Sequence, residues 1–198
     1  MTGQQEHDEK AMAEAYLQQA SLALTDSASE ALKLSELAEN LFRRVGDALK
    51  ATQARLISSK ASLAQGQWGQ AKHRLDGCKI LLAPLEKDHK IDPAFRLLLL
   101  QLEAEIVYVG CQQGHNNLND LYEALLNLAE ELEKARRLRP GQFDTIWLFG
   151  QLDVYERLVA VAYQLGLITQ AFNWAERTKA RRLLDLLLNL PFEYNENE

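Results

Sequence analysis

Proline and cysteine are scarce in this chain, with 4 prolines and 2 cysteines in 198 residues. So few prolines leave long stretches in which helices run without interruption. Cys78 and Cys111 lie far apart in apolar helical patterns, which excludes a disulfide-stapled scaffold and predicts packed, reduced thiols. Positive charge is not in excess. Lysine and arginine number 22 against 28 acidic residues, a net charge of −6 with a pI near 5.3. A protein-wide electrostatic attraction to nucleic acid is therefore missing. No stretch reaches the ~20 consecutive apolar residues of a membrane span, and the most apolar run, "RLLLLQLEAEIVYVG", is broken by carboxylates. The start, "MTGQQEHDEK", has neither the basic end nor the apolar region of a secretory signal. A cytoplasmic protein with no membrane segment is the expectation.

Chemistry-bearing motifs are also missing. The chain has no glycine-rich phosphate loop, no His-Glu-x-x-His and no Cys-x-x-Cys. His7, His73, His89 and His115 are scattered over loops and polar faces. Neither cysteine sits in a cap or loop that would activate a thiolate. Carboxylates in "EALLNLAEELEKARR" fall four residues before bases, as in Glu130 with Lys134 and Glu133 with Arg137, and read as solvated helix faces. A noncatalytic protein follows, with no metal and no cofactor.

What is present is helix. Hydrophobic residues make up 47% and charged residues 25%, an ordinary globular balance. The apolar periodicity predicts helices over about 8–24, 29–44, 47–65, 68–85, 93–113, 118–137, 143–165 and 168–190. Asp26, Ser27 or Ser29 suits the start of the second, and Asp92–Pro93 the start of the fifth. Gly46, Gly66, Gly114 and Gly166 punctuate the breaks. Eight helices with short connections predict antiparallel hairpins in an all-α domain spanning 1–190, followed by a polar tail at 191–198.

The hairpins repeat. "SLAQGQWGQAKHRL" and "AYQLGLITQAFNWA" each place a glycine, an apolar residue two later (Trp68, Ile168) and an alanine five later (Ala71, Ala171). "GHNNLNDLYEAL" carries the pattern from Gly114 to Ala124 with an insertion, and "DSASEALKLSELA" from Asp26 to Ala31. This resembles the tetratricopeptide repeat (TPR), a helix–turn–helix unit of ~34 residues, although Ser58 and Ser59 stand where that family carries leucine-glycine. The resemblance implies a right-handed α-solenoid whose first helices line a groove for a protein or peptide partner. Carried over by hairpin phase, the groove positions are Tyr16, Gln53, Lys60, Gln101, Tyr108, Asp153, Glu156 and Tyr163.

The last helix carries a second signal. Phe172, Ala175, Leu183, Leu186, Leu187 and Leu190 share one side of a helical wheel, expected to face the core. Trp174, Arg177, Arg181, Leu184 and Leu188 share the other and are expected to form an outer docking stripe, because Trp and Arg often dominate interfaces. "AFNWAERTKARRLLDLL" is similar to the last repeat before the protease domain in TPR–CHAT (caspase-like) proteins. Ala175, Glu176, Arg177, Lys179, Ala180, Arg181, Leu183, Leu184, Asp185 and Leu187 carry that pattern. The resemblance implies docking to a caspase-like CHAT protein or domain, and the outer stripe also suits self-association into a homo-oligomer. The sequence has no protease domain. The alternative is an accessory subunit of a nucleic-acid or ribonucleoprotein complex. For it speak the arginines, "KARRLRP" among them, which a helix C-terminus also accommodates.

Overall fold

The computed structural model describes residues 3–87, 91–138 and 152–189. These residues form eight α-helices and no strand. The helices are α1 (Gly3–Asp26), α2 (Ala28–Arg44), α3 (Ala48–Ala64), α4 (Trp68–Lys87), α5 (Pro93–Gln112), α6 (Leu118–Leu138), α7 (Leu152–Gln164) and α8 (Ile168–Asn189). The all-α expectation holds. The first helix starts earlier than its sequence pattern suggests, and the segment 143–151 expected within the seventh lies outside the described residues.

Helix starts follow side-chain chemistry. Ser27 accepts from the Glu30 N–H, Asp47 from Lys50 and Asp92 from Ala94, with Pro93 opening α5. At α6, Asn117 Oδ1 accepts from the N–H groups of Asn119 and Asp120, while Asp120 Oδ2 accepts from the Asn117 N–H at 2.9 Å. Such reciprocal caps satisfy donors that the helix itself leaves unpaired, each worth about 1 kcal/mol.

Helix ends follow one device. Gly46, Gly66, Gly114 and Gly166 adopt φ values of 73–76°, the left-handed region in which a side chain is strained. Each glycine N–H bonds the carbonyl three residues back, and the next N–H bonds the carbonyl five back, as in Asp47 to Phe42 and Leu167 to Ala162. This is the Schellman closure. One turn into the following helix, Ala31, Ala51, Ala71 and Ala171 donate to the N-cap carbonyls of Ser27, Asp47, Gln67 and Leu167, and all four alanines are buried. The pattern therefore recurs between α2 and α3 as well as within hairpins. In α6 this position belongs to Leu121, bonded to Asn117, and not to Ala124. His115 and Asn116 lengthen the turn by two residues, which shifts the whole helix register.

The chain divides into two compact units, residues 1–116 and 117–198. In the first, each helix packs on the next, and α1 also meets α3 as α3 meets α5. One core joins Ala13, Ala38, Leu41, Phe42, Ala51 and Ala54. A second joins Leu56, Leu75, Cys78 and Leu82 to Phe95, Leu99, Leu102 and Ile106. Ser59, where the tetratricopeptide pattern has glycine, is fully buried and donates to the Ala71 carbonyl of the crossing helix at 2.7 Å. A small residue is still what the crossing requires. Its hydroxyl is satisfied across the interface, so it carries no desolvation penalty. In the second unit α6 packs on α7 and α7 on α8.

Candidate functional site

The groove residues expected from hairpin phase fall into two sets. Gln53 and Lys60 lie thirteen and six residues before Gly66, and Gln101 and Tyr108 stand at the same distances before Gly114. These four occupy matching positions on α3 and α5, which touch. Gln53, Lys60 and Gln101 are half-buried and Tyr108 is exposed. Asp153 repeats the first position on α7, exposed and paired with Arg157 at 2.6 Å.

Glu156 and Tyr163 belong elsewhere. They lie ten and three residues before Gly166, the positions that Leu56 and Leu63 hold before Gly66. Leu56 and Leu63 pack in the core beneath α5. Glu156 and Tyr163 therefore stand at the repeat positions of the stacking residues Leu56 and Leu63, not at those of Gln53 and Lys60. Tyr16 is half-buried against the core shared by α1, α2 and α3.

Two residues of the last helix take faces opposite to those expected, Trp174 turning inward and Phe172 outward. Trp174 is only 7% exposed, whereas Phe172 is 65% exposed. Trp174 packs at 6.0 Å from Tyr155, and the Arg177 guanidinium lies 4.7 Å above its ring. Thr178, also buried, donates to the Trp174 carbonyl at 2.8 Å. Ala171, Trp174 and Thr178 thus form the inward stripe, and Trp174 is removed from the outer docking surface. Arg177 stays exposed but is committed to the indole face. The side chains of Arg181, Leu184 and Leu188, and of Leu183, Leu186, Leu187 and Leu190, lie outside the described residues.

One of the two charge pairs expected on α6 takes a different partner. Lys134 meets Glu131 at 3.3 Å rather than Glu130. Glu133 accepts from the Tyr155 hydroxyl at 2.7 Å, and the Arg137 side chain lies outside the described residues.

A cleft that sequence reasoning missed opens over α4. It encloses about 630 Å³ and is lined by Glu39, Arg55, Gly69, Gln70, His73, Arg74, Asp76, Gly77 and Ile80. Glu39 is buried, accepts from Arg55 and is ion-paired with Arg43 at 3.3 Å. Arg74 bonds Glu36 at 2.6 Å and Ser58 Oγ at 3.3 Å. A Cβ at Gly77 would collide with the Arg55 guanidinium. That collision explains a glycine in mid-helix, where it otherwise costs about 1 kcal/mol. Two glycines inside "WGQAKHRLDGCK", neither at a turn, were the available signal.

Beneath the cleft, Cys78 is fully buried and its thiol is pushed up to about 12 by burial. Arg55 acts against that shift and Glu39 adds to it. A thiol held protonated this firmly is not a nucleophile at neutral pH. Neither cysteine is in a disulfide, and Cys111 is half-buried. Among the described residues no cluster of histidine, cysteine or carboxylates has the geometry of a metal site. No helix there is long and apolar enough to cross a membrane. No family model matches the chain, and no curated protein shows significant similarity to it.

Proposed function

We propose that this chain is a noncatalytic interaction module, a tetratricopeptide-like array in which hairpins stack as a right-handed solenoid and dock a protein partner in the cytoplasm. The observation that carries this reading is the matched pairs Gln53/Lys60 and Gln101/Tyr108 on adjoining helices. Amide, ammonium and phenol groups at two repeated heights suit the carbonyls, N–H groups and carboxylates of an extended segment. The last-helix motif makes a caspase-like CHAT protein or domain the favoured class of partner. Arg55 and Arg74 are tied to Glu39 and Glu36, which lowers their availability to phosphates and favours protein over nucleic acid.

The test is selection of peptides from a random display library on the immobilised full chain. Lys60→Glu combined with Tyr108→Ala is expected to weaken the selected peptides by about tenfold or more, a loss typical of central interface residues. The melting temperature should stay nearly constant, because neither side chain is core. Undiminished capture would remove the groove from the reading.

A further inference from the structure

The hairpins α3/α4 and α7/α8 share one register, so that adding one hundred to a residue number in the first gives its counterpart in the second. In the first hairpin, α5 covers the stacking face. Leu56, Leu75, Cys78 and Leu82 bury against Phe95, Leu99, Leu102 and Ile106, with Leu63 and Trp68 at the margin. Polar contacts fix that helix: Trp68 Nε1 donates to the Ile106 carbonyl at 2.8 Å, and Lys79 meets Glu103 at 2.5 Å.

The counterpart face on α7/α8 has the same layout. Tyr163 and Ile168, counterparts of Leu63 and Trp68, are 68% and 58% exposed. A groove of about 240 Å³ is lined by Glu156, Val159, Ala175, Thr178 and Lys179. Four of these correspond to Leu56, Leu75, Cys78 and Lys79. Alanine in place of leucine opens the floor. Lys179, the counterpart of the lysine that holds α5, is exposed and pairs only with its neighbour Glu176 at 2.7 Å. Exposed apolar side chains beside a groove with a charged rim are features that interaction sites share.

From this correspondence we infer that the α7/α8 groove seats an amphipathic helix of a partner chain. That helix carries apolar side chains at i, i+4, i+7 and i+11, as Phe95, Leu99, Leu102 and Ile106 do, and an acidic residue at i+8 for Lys179, as Glu103 serves Lys79. A head-to-tail second copy does not fit, because α1 exposes Gln5, Glu6, His7, Asp8, Lys10, Gln18 and Gln19, with only Met12 and Leu22 as large apolar groups. The inference rests on the reading of the chain as an interaction module and names a second site on it.

The probe is a labelled synthetic peptide of the α5 sequence, Pro93–Gln112, titrated against the full chain by fluorescence anisotropy. The chain should bind it. Glu156→Leu restores the leucine that α5 normally meets and should tighten binding by about tenfold, the scale of one buried leucine. Lys179→Glu should weaken it about threefold to tenfold, and a Glu103→Lys peptide should recover the loss, as for a charge pair at an interface. Both substituted positions are exposed, so folding is preserved and is checked by melting. No binding by either the unaltered chain or Glu156→Leu overturns the inference, as does binding indifferent to positions 156 and 179. A chain that sediments as a dimer and is dissociated by Lys179→Glu also overturns it, by making a second copy the occupant. If the peptide fails while Lys60→Glu with Tyr108→Ala still impairs the display-selected peptides, the interaction reading stands and this site alone falls.

Discussion

The α3/α4 and α7/α8 hairpins share a backbone register and fill it with opposite chemistry. Where the first has Arg55, Arg74 and Gly77, the second has Tyr155, Trp174 and Arg177. In the first, a guanidinium crosses a glycine to reach Glu39 of α2. In the second, a phenol reaches Glu133 of α6 at 2.7 Å and its ring packs beside an indole capped by a cation. Both odd-numbered helices thus send a donor to a carboxylate on the preceding even-numbered helix. The repeated turn fixes where a side chain arrives, while the local partner decides whether it is charged or aromatic. The aromatic version buries apolar area without desolvating an ion pair, and the ionic version leaves a polar cleft open to solvent.

The largest expected effect separates these two fillings. Trp174→Ala removes a buried aromatic and should destabilise the second unit by about 3–4 kcal/mol. Phe172→Ala, two residues away but exposed, should change stability by less than about 0.5 kcal/mol. Urea denaturation of both variants decides the matter. A greater loss from Phe172→Ala would reverse the faces of α8 and return Trp174 to the outer surface.

The same helix shows how far sequence reaches. Helix positions and turns were legible because glycines, caps and apolar spacing act locally, and Ser27, Asp92 and Gly166 each do in the structure what their chemistry predicts. The inward face of α8 was not legible. Leucines crowd its second half, and a wheel averaged over the whole helix followed them instead of Ala171, Trp174 and Thr178 near its start. The shift of register in α6 was hidden for a related reason, since a turn lengthened by two residues puts Leu121, not an alanine, at the position bonded to the N-cap carbonyl. Long-range pairs such as Arg55 with Glu39 leave no local trace except the glycine that makes room for them. Hairpin phase made one shared register legible in Gln53, Lys60, Gln101 and Tyr108, whereas Glu156 and Tyr163 stand at other positions of the repeat.

That glycine supplies the intermediate effect. Gly69→Ala meets nothing within 4 Å and should stabilise α4 by about 0.5–1 kcal/mol through helix propensity. Gly77→Ala gains the same propensity but displaces the Arg55 guanidinium from Glu39, so a net loss of about 1 kcal/mol is expected. In an Arg55→Ala background Gly77→Ala should become stabilising. A double-mutant cycle by thermal melting reads the change of sign, and additive effects would mean that the arginine, not the glycine, sets the cleft.

The smallest effect lies beneath the cleft, where Cys78 of the first hairpin is replaced by Thr178 in the second. The Cys78 thiol is raised from 9.0 to about 12, chiefly by burial. Above its ordinary range the unfolded chain loses this proton while the folded chain keeps it. The associated stability is therefore fully present below the ordinary value and declines as pH rises toward the folded one. The loss should reach roughly 0.8 kcal/mol by about pH 9.5 and then about 1.4 kcal/mol per further pH unit. Cys78→Thr borrows the solution of the other hairpin, in which Thr178 donates to the carbonyl four residues back, and removes the titrating group. The stability of the unaltered chain relative to Cys78→Thr, measured by urea unfolding at neutral and at mildly alkaline pH, should fall by that amount. Tyrosine and lysine titrations are common to both chains and cancel in the difference. A difference independent of pH would mean that the thiol ionises as readily in the folded chain as in the unfolded one, and that the core beneath the first hairpin is wetter than that beneath the second.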